Sequence, residues 1–404
     1  MTNEKSSMNV YKQINWKIMI PIMLFVTFQS AFTAFSSVLA SIAEQFPYAS
    51  ATTIQMVLTL PSTMSIPVSL CAGLLASYFT KKQMIEFSLV VEFIGGMIPL
   101  VNHTSLGMLI LSSCLIGLGQ GIMITMASAI VGENFTGTTS GVAMGLKQAA
   151  SSVLIAVFTI ATGYLALSGW WHAYYVYFLA PVVLVITAIS LPKGQKDVRI
   201  VGKGAGSGWK KVLTRGVVYY SLLSFFMAAA NFAFYTNIAF RIVNGGLGDS
   251  ASVGMASAWN QIVTIIISLI FGYILKVVKK YALAVAVGVQ AIAYLIIVAA
   301  PNLSMITIGG IIYGVGAAMQ MVAACYYILE SCEQDAASLG IAICMTFTSL
   351  GITFSPYVIN AVAGIFGNNG VTSGFMGAAA IQIVLVVIEI IYETVLNKDS
   401  QIGN

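Results

Sequence analysis

The chain has 404 residues, of which 58% are hydrophobic and only 8% are charged. Soluble globular domains carry about 25% charged residues, so this composition excludes an ordinary soluble fold. Lipid must be the solvent for most of the chain. The formal net charge of +5 does not indicate nucleic-acid binding, because the basic residues lie between apolar segments and form no patch with aromatic residues.

Twelve apolar segments follow one another along the chain, and each is long enough to cross a hydrocarbon core roughly 30 Å thick as a helix. We predict helices at residues 16–40, 51–77, 83–101, 106–132, 138–167, 170–191, 216–241, 250–276, 280–300, 304–329, 336–365 and 371–396. The predicted fold class is therefore an all-α integral membrane protein with about twelve transmembrane helices in two six-helix bundles.

The one long polar stretch predicts the domain organisation. Residues 192–215 contain Gly, Ser and charged residues, a composition typical of a flexible linker. We predict an N-terminal six-helix bundle at 1–191, a cytoplasmic linker at 192–215 and a C-terminal six-helix bundle at 216–404. No strand-associated nucleotide motif or metal-ligand spacing is present in the sequence, so we expect no cofactor and no metal.

Lysine and arginine residues predict the orientation. With the N-terminus inside, all but two of the 18 basic residues fall in cytoplasmic tails and loops. The exceptions are Arg241, at the outer end of the seventh helix, and Lys147, within the fifth. We therefore expect a multi-pass protein of the plasma (inner) membrane whose N- and C-termini are cytoplasmic.

The second half repeats features of the first. A shift of about 199 residues places Gly73 on Gly272 and Lys81 on Lys280, and each pair occupies the same position in its half. Two six-helix halves in parallel register are typical of one large class of secondary transporters, in which the solute binds near the membrane midplane.

Residues 72–82, AGLLASYFTKK, resemble the loop between helices 2 and 3 of the major facilitator superfamily, which usually reads Gly-x-Leu-x-Asp-Arg-x-Gly-Arg-Lys. The resemblance implies gating loops formed by Gly73, Lys81 and Lys82 in the first half and by Gly272, Lys279 and Lys280 in the second. In the family this loop gates the inward-facing side through charge pairing. Ser77 and Lys276 stand at the acidic positions, so both copies depart from that pattern.

Residues 115–124, LIGLGQGIMI, resemble the Arg-x-x-Gln-Gly pattern of the same family in helix 4. Gln120 and Gly121 match, whereas Gly117 replaces an arginine that is linked to proton coupling in the family. The Gly117–Gly121 spacing also predicts close helix packing. The fifth helix lacks the Gly- and Pro-rich run of the drug/proton antiporters of this superfamily.

The resemblance further implies that helices 1, 4, 7 and 10 line a central cavity, with helices 2, 5, 8 and 11 beside them. Polar residues in those helices are candidates for solute contact, because polar groups in lipid must find partners or face water. The residues selected are Asn231, Tyr235, Asn260, Gln261, Gln120 and Gln320, the first four because they cluster in depth. The alternative is interhelical hydrogen bonding, worth about 0.6 kcal/mol for each bond.

Two ionisable residues within spans require separate interpretation. Lys147 lies roughly 13 Å into helix 5 if that helix starts near residue 138. It could face the cavity as the counter-charge of a solute, snorkel to the inner interface, or pair with a group on another helix. Glu92, near the middle of helix 3, is either a candidate proton site or a structural carboxyl.

We expect a secondary active or facilitative transporter that moves a small organic solute, with an anion favoured by Lys147. The alternatives are efflux of amphipathic drugs or metabolites and, in a different class, a transporter-like sensor or scaffold. An enzyme is not expected, because the sequence shows no nucleophile–base pair and no paired catalytic carboxylates. The expected partners are the solute, a coupling ion and the lipid bilayer, with the protein acting as a monomer.

Overall fold

A computed structural model describes residues 14–135, 138–191, 214–331, 337–365, 367 and 370–396. In these ranges the chain forms helices and no strand. We number the helices α1 to α12 in chain order. They are Trp16–Gln45, Ala51–Leu75, Lys81–Val101, Leu106–Asn134, Thr138–Leu165, Trp170–Ser190, Arg215–Asn244, Ser250–Val278, Ala282–Ala299, Leu303–Glu330, Ala337–Ile365 and Gly370–Thr394.

All twelve helices are long and apolar enough to cross a membrane. The predicted fold class is confirmed, and the predicted helix ends agree with the observed ones to within a few residues. The hydrophobic lengths therefore carried the information needed to place the helices. Nearly all of the predicted linker, as well as the N-terminal tail to residue 13, lies outside the described residues.

Helix α1 is not uniform. It begins as an α-helix at Trp16–Phe25, continues as a 3₁₀ segment at Val26–Val38 and ends as an α-helix at Leu39–Gln45. Ser30 leaves the helical region, with φ −133° and ψ 15°. The hydroxyl of Thr33 donates to the Ser30 carbonyl at 2.8 Å, which offers the backbone a local alternative to the α-helical ladder. A 3₁₀ stretch within a helix is typical of a hinge.

The helices form two compact units. The first contains the described parts of Met1–Val38 and Leu60–Ile200, and the second contains those of Leu39–Thr59 and Val201–Asn404. The border between the units therefore crosses α1 after Val38 and α2 after Thr59. The division into two six-helix bundles at the linker stays a prediction.

Three amides hold the beginning of α2 within the second unit. Gln55 donates from Nε2 to the Asn237 side-chain oxygen at 3.1 Å. Asn360 of α11 donates from Nδ2 to the Thr52 hydroxyl at 2.9 Å and to Gln55 Oε1 at 3.1 Å. These hydrogen bonds join the first part of α2 to α7 and α11. Since α7 and α11 belong to the second unit, the first part of α2 belongs to it as well.

In the first unit, α4 packs closely on α2 through the glycines that the sequence singled out. A Cβ added at Gly117 would lie 2.5 Å from the Pro61 carbonyl oxygen. One added at Gly121 would lie 2.7 Å from the Ser65 carbonyl oxygen. The predicted packing role of this spacing is confirmed, because only the absence of a side chain lets the two backbones approach so closely.

Candidate functional site

The polar residues predicted on α7 and α8 meet in the second unit. The Tyr235 hydroxyl accepts hydrogen bonds from Gln261 Nε2 at 3.0 Å and from Asn260 Nδ2 at 3.4 Å. Thr264 donates to the Asn260 carbonyl at 2.9 Å. Because α8 carries Asn260 and Gln261 as neighbours, both amides reach one phenol from a single turn. Asn260 is 1% exposed and Gln261 is 9% exposed.

Asn231 and Gln320 meet through a second hydrogen-bond network in the same unit. Asn231 donates from Nδ2 to Gln320 Oε1 at 3.2 Å. Gln290 of α9 donates to the same oxygen at 2.5 Å, and Gln382 of α12 donates to Gln290 Oε1 at 2.6 Å. This amide chain, Asn231–Gln320–Gln290–Gln382, connects α7, α10, α9 and α12.

Two tyrosines hold Asn231 in place. Tyr313 donates to the Asn231 side-chain oxygen and, at 2.9 Å, to its backbone carbonyl. Tyr294 donates to the Asn231 carbonyl at 3.0 Å. Both ends of the Asn231 amide are therefore engaged within the protein. Within the described residues, the Gln320 Nε2 group has no hydrogen-bond partner.

The sequence reasoning missed Gln290, Gln382, Tyr294 and Tyr313. Its selection was limited to the helices that line the cavity in the family, with their neighbours, and three of these four residues lie on α9 and α12. A signal was nevertheless available, because a glutamine in the middle of an otherwise apolar span must find an internal partner.

In the first unit, Lys147 lies in α5 and is 9% exposed. Its ammonium group donates to the Ser128 hydroxyl of α4 at 3.0 Å. Among the described residues, no carboxylate lies within ion-pair distance of Lys147. The positive charge of Lys147 therefore has a neutral hydrogen-bond partner, and it has no negatively charged partner among the described residues.

Two further predicted residues of the first unit are Gln120 and Glu92. Gln120 of α4 is 5% exposed, and its side-chain oxygen is buried without a hydrogen-bond partner. Glu92 of α3 is fully buried, and neither of its carboxyl oxygens has a partner. The structure does not bring either of them into hydrogen-bond contact with Lys147.

The lysines of the predicted gating loops bind helix ends. Lys81 forms an ion pair with Glu133 at the end of α4. Lys82 donates to the Leu191 carbonyl, just after α6, at 2.9 Å, and Lys280 donates to the Glu393 carbonyl at 3.1 Å. Positive groups at helix C-termini satisfy free carbonyls and oppose the helix dipole. These lysines therefore fix the C-terminal ends of α4, α6 and α12.

The remaining members of the gating loops are less informative. Gly73 lies near the end of α2 and Gly272 lies within α8. The side chain of Lys279 lies outside the described residues. Glu389 and Glu393 are buried near the end of α12, where Tyr219 donates to Glu389 at 2.6 Å and Tyr220 to Glu393 at 3.0 Å.

The described residues contain no group of three or more His, Cys, Asp and Glu side chains that could hold a metal ion. What they do contain is a set of neutral amides and hydroxyls in one unit and an uncompensated ammonium group in the other. Such groups bind polar solutes through hydrogen bonds and charge, and they supply no nucleophile with a neighbouring base.

The sequence profile of the Major Facilitator Superfamily matches residues 20–248 and 220–399. The chain belongs to this superfamily. It is therefore a transporter that moves a solute across a membrane through a twelve-helix fold, and it is not an enzyme. The predictions of the family, of transport and of a multi-pass membrane protein are confirmed.

Solved structures of Major Facilitator Superfamily transporters share the fold. The crystal structure of the nucleoside transporter NupG, as its D323A mutant, has a TM-score of 0.77 at 10% identity and covers 92% of this chain and 99% of its own. A bacterial homologue of the human lysosomal transporter Spinster has a TM-score of 0.70 at 14% identity and covers 93% of this chain and 94% of its own. No curated protein matches the sequence significantly.

Proposed function

We propose that this protein moves a small organic anion by alternating access and that Lys147 is the counter-charge of that anion. The observation that carries the proposal is the ammonium group of Lys147, which is buried in a span with only the Ser128 hydroxyl as its described partner. An unpaired charge in that position costs several kcal/mol unless a ligand or water compensates it, and an anionic solute provides that compensation.

The position of Lys147 around α5 argues against snorkelling along the lipid. Exposed apolar residues Val153, Val157 and Tyr164 form one stripe of the helix. At about 100° per residue, the exposed polar residue Gln148 lies on the opposite side from Val157. Lys147 lies between these two faces, and its ammonium group donates to Ser128 of the neighbouring helix α4.

The second unit contains its own candidate groups for contact with a solute. The Tyr235 hydroxyl is held by two amides, and Gln320 Nε2 is a donor without a described partner. Phe232 lies beside Tyr235, with ring centroids 5.5 Å apart. Aromatic faces with fixed polar groups are typical of sites for small organic molecules.

A neutral or amphipathic solute is the second candidate. This class of solute is favoured by the polar groups around Tyr235 and Gln320, because these groups are uncharged amides and phenols. One structural neighbour is a nucleoside transporter, so nucleosides belong in the test as neutral polar solutes with an aromatic ring. Efflux of amphipathic drugs would use the same uncharged surface.

The cellular setting that we propose follows from the basic residues. The protein lies in the plasma (inner) membrane with both termini in the cytoplasm, since nearly all Lys and Arg residues fall on that side. It acts as a monomer in the lipid bilayer, because one chain contains both halves of the transporter fold. A coupling ion accompanies the solute if transport is active.

The test is thermal stabilisation of the purified protein in one detergent by a panel of organic anions, cations, sugars and nucleosides. A solute that binds the folded state raises its apparent melting temperature by mass action. We expect anions to stabilise the wild type, and we expect Lys147→Ala to abolish that response. Lys17→Ala, which removes an exposed lysine at the beginning of α1, is the matched control and should keep it.

Two results would contradict the anion proposal. If nucleosides or amphipaths stabilise the wild type and Lys147→Ala equally, the solute is neutral and Lys147 is structural. If both lysine variants lose the anion response equally, the response comes from overall charge and not from a site at Lys147.

A further inference from the structure

Glu92 lies in the middle of α3 with its carboxyl group sealed inside the first unit. The residue is 0% exposed, and neither carboxyl oxygen has a hydrogen-bond partner in the described part of the chain. A Cβ added at Gly119 of α4 would collide with Glu92 Cγ and would lie 2.9 Å from Oε1. The missing side chain at Gly119 therefore makes the space that the carboxyl group occupies.

The elements packed against α3 provide no compensating charge in the middle of the membrane. On α4 the titratable groups are Cys114 and, at the cytoplasmic end, Glu133, which is paired with Lys81. On α6 they are the buried Tyr174 and Tyr177, the exposed Tyr175 and, at the beginning of the helix, His172. Burying a carboxylate without a donor costs far more than burying the neutral acid, so the Glu92 carboxyl is uncharged in this structure.

Two other buried side-chain oxygens of the first unit also lack partners. The Tyr177 ring packs against Gly96, which lies one helical turn beyond Glu92 on α3. The Tyr177 hydroxyl is buried and has no hydrogen-bond partner. The side-chain oxygen of Gln120, the neighbour of Gly119, is likewise unpartnered. This part of the first unit therefore holds several unpartnered oxygens, whereas native proteins satisfy nearly all buried polar atoms.

The second unit shows that packing alone does not require an acid at this position. Gln290 of α9, like Glu92 of α3, packs against a glycine of the following helix, since a Cβ added at Gly316 of α10 would lie 2.6 Å from Gln290 Cγ. Its amide is fully engaged, since it donates to Gln320 and accepts from Gln382. The corresponding place in the first unit holds an ionisable group without such partners.

We propose that Glu92 is a proton-binding site of the transport cycle. In one conformation a carboxyl oxygen forms an O–H bond with a proton taken from water. The neutral acid is then sealed as it is seen here, and in another conformation the O–H bond breaks and the proton returns to water. The binding of the proton stands by itself, whereas its coupling to solute movement rests on the proposed function.

The test of proton binding uses no solute, so it stands or falls independently of the anion proposal. Infrared spectra of the full-length protein in lipid are recorded as a function of pH in choline chloride. We expect a carbonyl stretching band of a buried carboxylic acid at low pH that is lost as the pH rises. Glu92→Gln should remove this band and its pH dependence, because the amide is nearly isosteric with the acid but does not titrate.

Two further variants show which carboxyl group gives the infrared band. Glu389→Gln removes another buried carboxyl, one that accepts a hydrogen bond from Tyr219, and should leave the Glu92 band in place. Glu92→Asp should shift the band and assigns it even if the Gln variant fails to fold. A titrating band that survives in Glu92→Gln, or a Glu92 band that stays constant wherever the protein is folded, would overturn the proposal. A band that changes when sodium replaces choline would indicate a sodium site instead.

Coupling is then measured by linkage. If a proton and an anion bind interdependently, stabilisation by the anion depends on pH in the wild type. We expect this dependence to follow the infrared titration and to be lost in Glu92→Gln. A pH dependence that is identical in the two proteins would separate Glu92 from solute binding, whatever the infrared result.

Discussion

Arg241 donates a hydrogen bond from Nε to the backbone carbonyl of Ile297 at 3.2 Å, and its Nη2 donates to the carbonyl of Ala300. The guanidinium group thus binds the last carbonyls of α9, although the residue belongs to α7. It is only 7% exposed. The sequence shows this residue only as a basic group at the end of the seventh span. In the structure it caps the C-terminus of α9 from the neighbouring helix α7.

We predict that Arg241→Leu lowers stability, because it removes hydrogen bonds that each contribute about 1.5–3 kcal/mol when one partner is charged. Arg241→Lys keeps the charge but loses the fork of donors, and it should be intermediate. The measurement is the apparent melting temperature in detergent. Equal melting temperatures for the Leu variant and the wild type would show that the carbonyls of α9 do not need this cap.

A second prediction concerns Tyr235. Tyr235→Phe keeps the ring but removes the oxygen that accepts from Asn260 and Gln261. Two largely buried amide groups then lose a partner, at a cost of about 1–3 kcal/mol for each group left unsatisfied. We expect a lower melting temperature and a changed solute panel. Tyr175→Phe removes the hydroxyl of an exposed tyrosine as the control, and an equally large effect there would contradict the prediction.

A third prediction concerns pH and the start of α8. Asp249 lies between spans and accepts hydrogen bonds from the Ser252 backbone N–H at 2.9 Å and from its hydroxyl at 2.8 Å. These bonds lower the pKa of Asp249 below its ordinary value. Because the folded-state pKa is the lower one, Asp249 contributes its full stability above about pH 4. That contribution is lost as the pH falls through the folded-state pKa.

Asp249→Ala should therefore be less stable than the wild type at neutral pH, and the difference should shrink on acidification. Asp249→Asn is the matched control, since asparagine also accepts from the backbone at a helix start but does not titrate. Melting temperatures of the three proteins across an acidic pH series provide the measurement. A difference between Ala variant and wild type that is the same at every pH would exclude the carboxylate as its source.

The fourth prediction concerns the contact of α4 with α2. Gly121→Ala would place a Cβ 2.7 Å from the Ser65 carbonyl oxygen, which belongs to the backbone and cannot rotate away. We expect a strong loss of folded, monodisperse protein on size-exclusion chromatography. Gly132→Ala is the matched control in the same helix, because nothing lies within 4 Å of its added Cβ. If both variants behave alike, the close approach of α4 and α2 is not required.

The sequence was sufficient to predict the helices because hydrophobic length is a local property. It was also sufficient to predict that Asn260, Gln261 and Tyr235 occupy one depth, since helical rise converts sequence position into depth. It could not show that Gln290 and Gln382 join Gln320, because those contacts depend on which helices are neighbours. For the same reason it could not show that Glu389 and Glu393 of α12 are buried and accept hydrogen bonds from tyrosines of α7.

The amides that hold the start of α2 have a consequence for how the gene product can be divided. Asn237 and Asn360 use Gln55 and Thr52 as partners, so a polypeptide that begins at Arg215 would lack these hydrogen bonds. The repeat in the sequence suggests two interchangeable modules, but the second compact unit borrows residues 39–59 from the first half of the chain. Separately expressed halves are therefore expected to need each other in order to fold, because a cut in the linker leaves residues 39–59 on the fragment that lacks the rest of their unit.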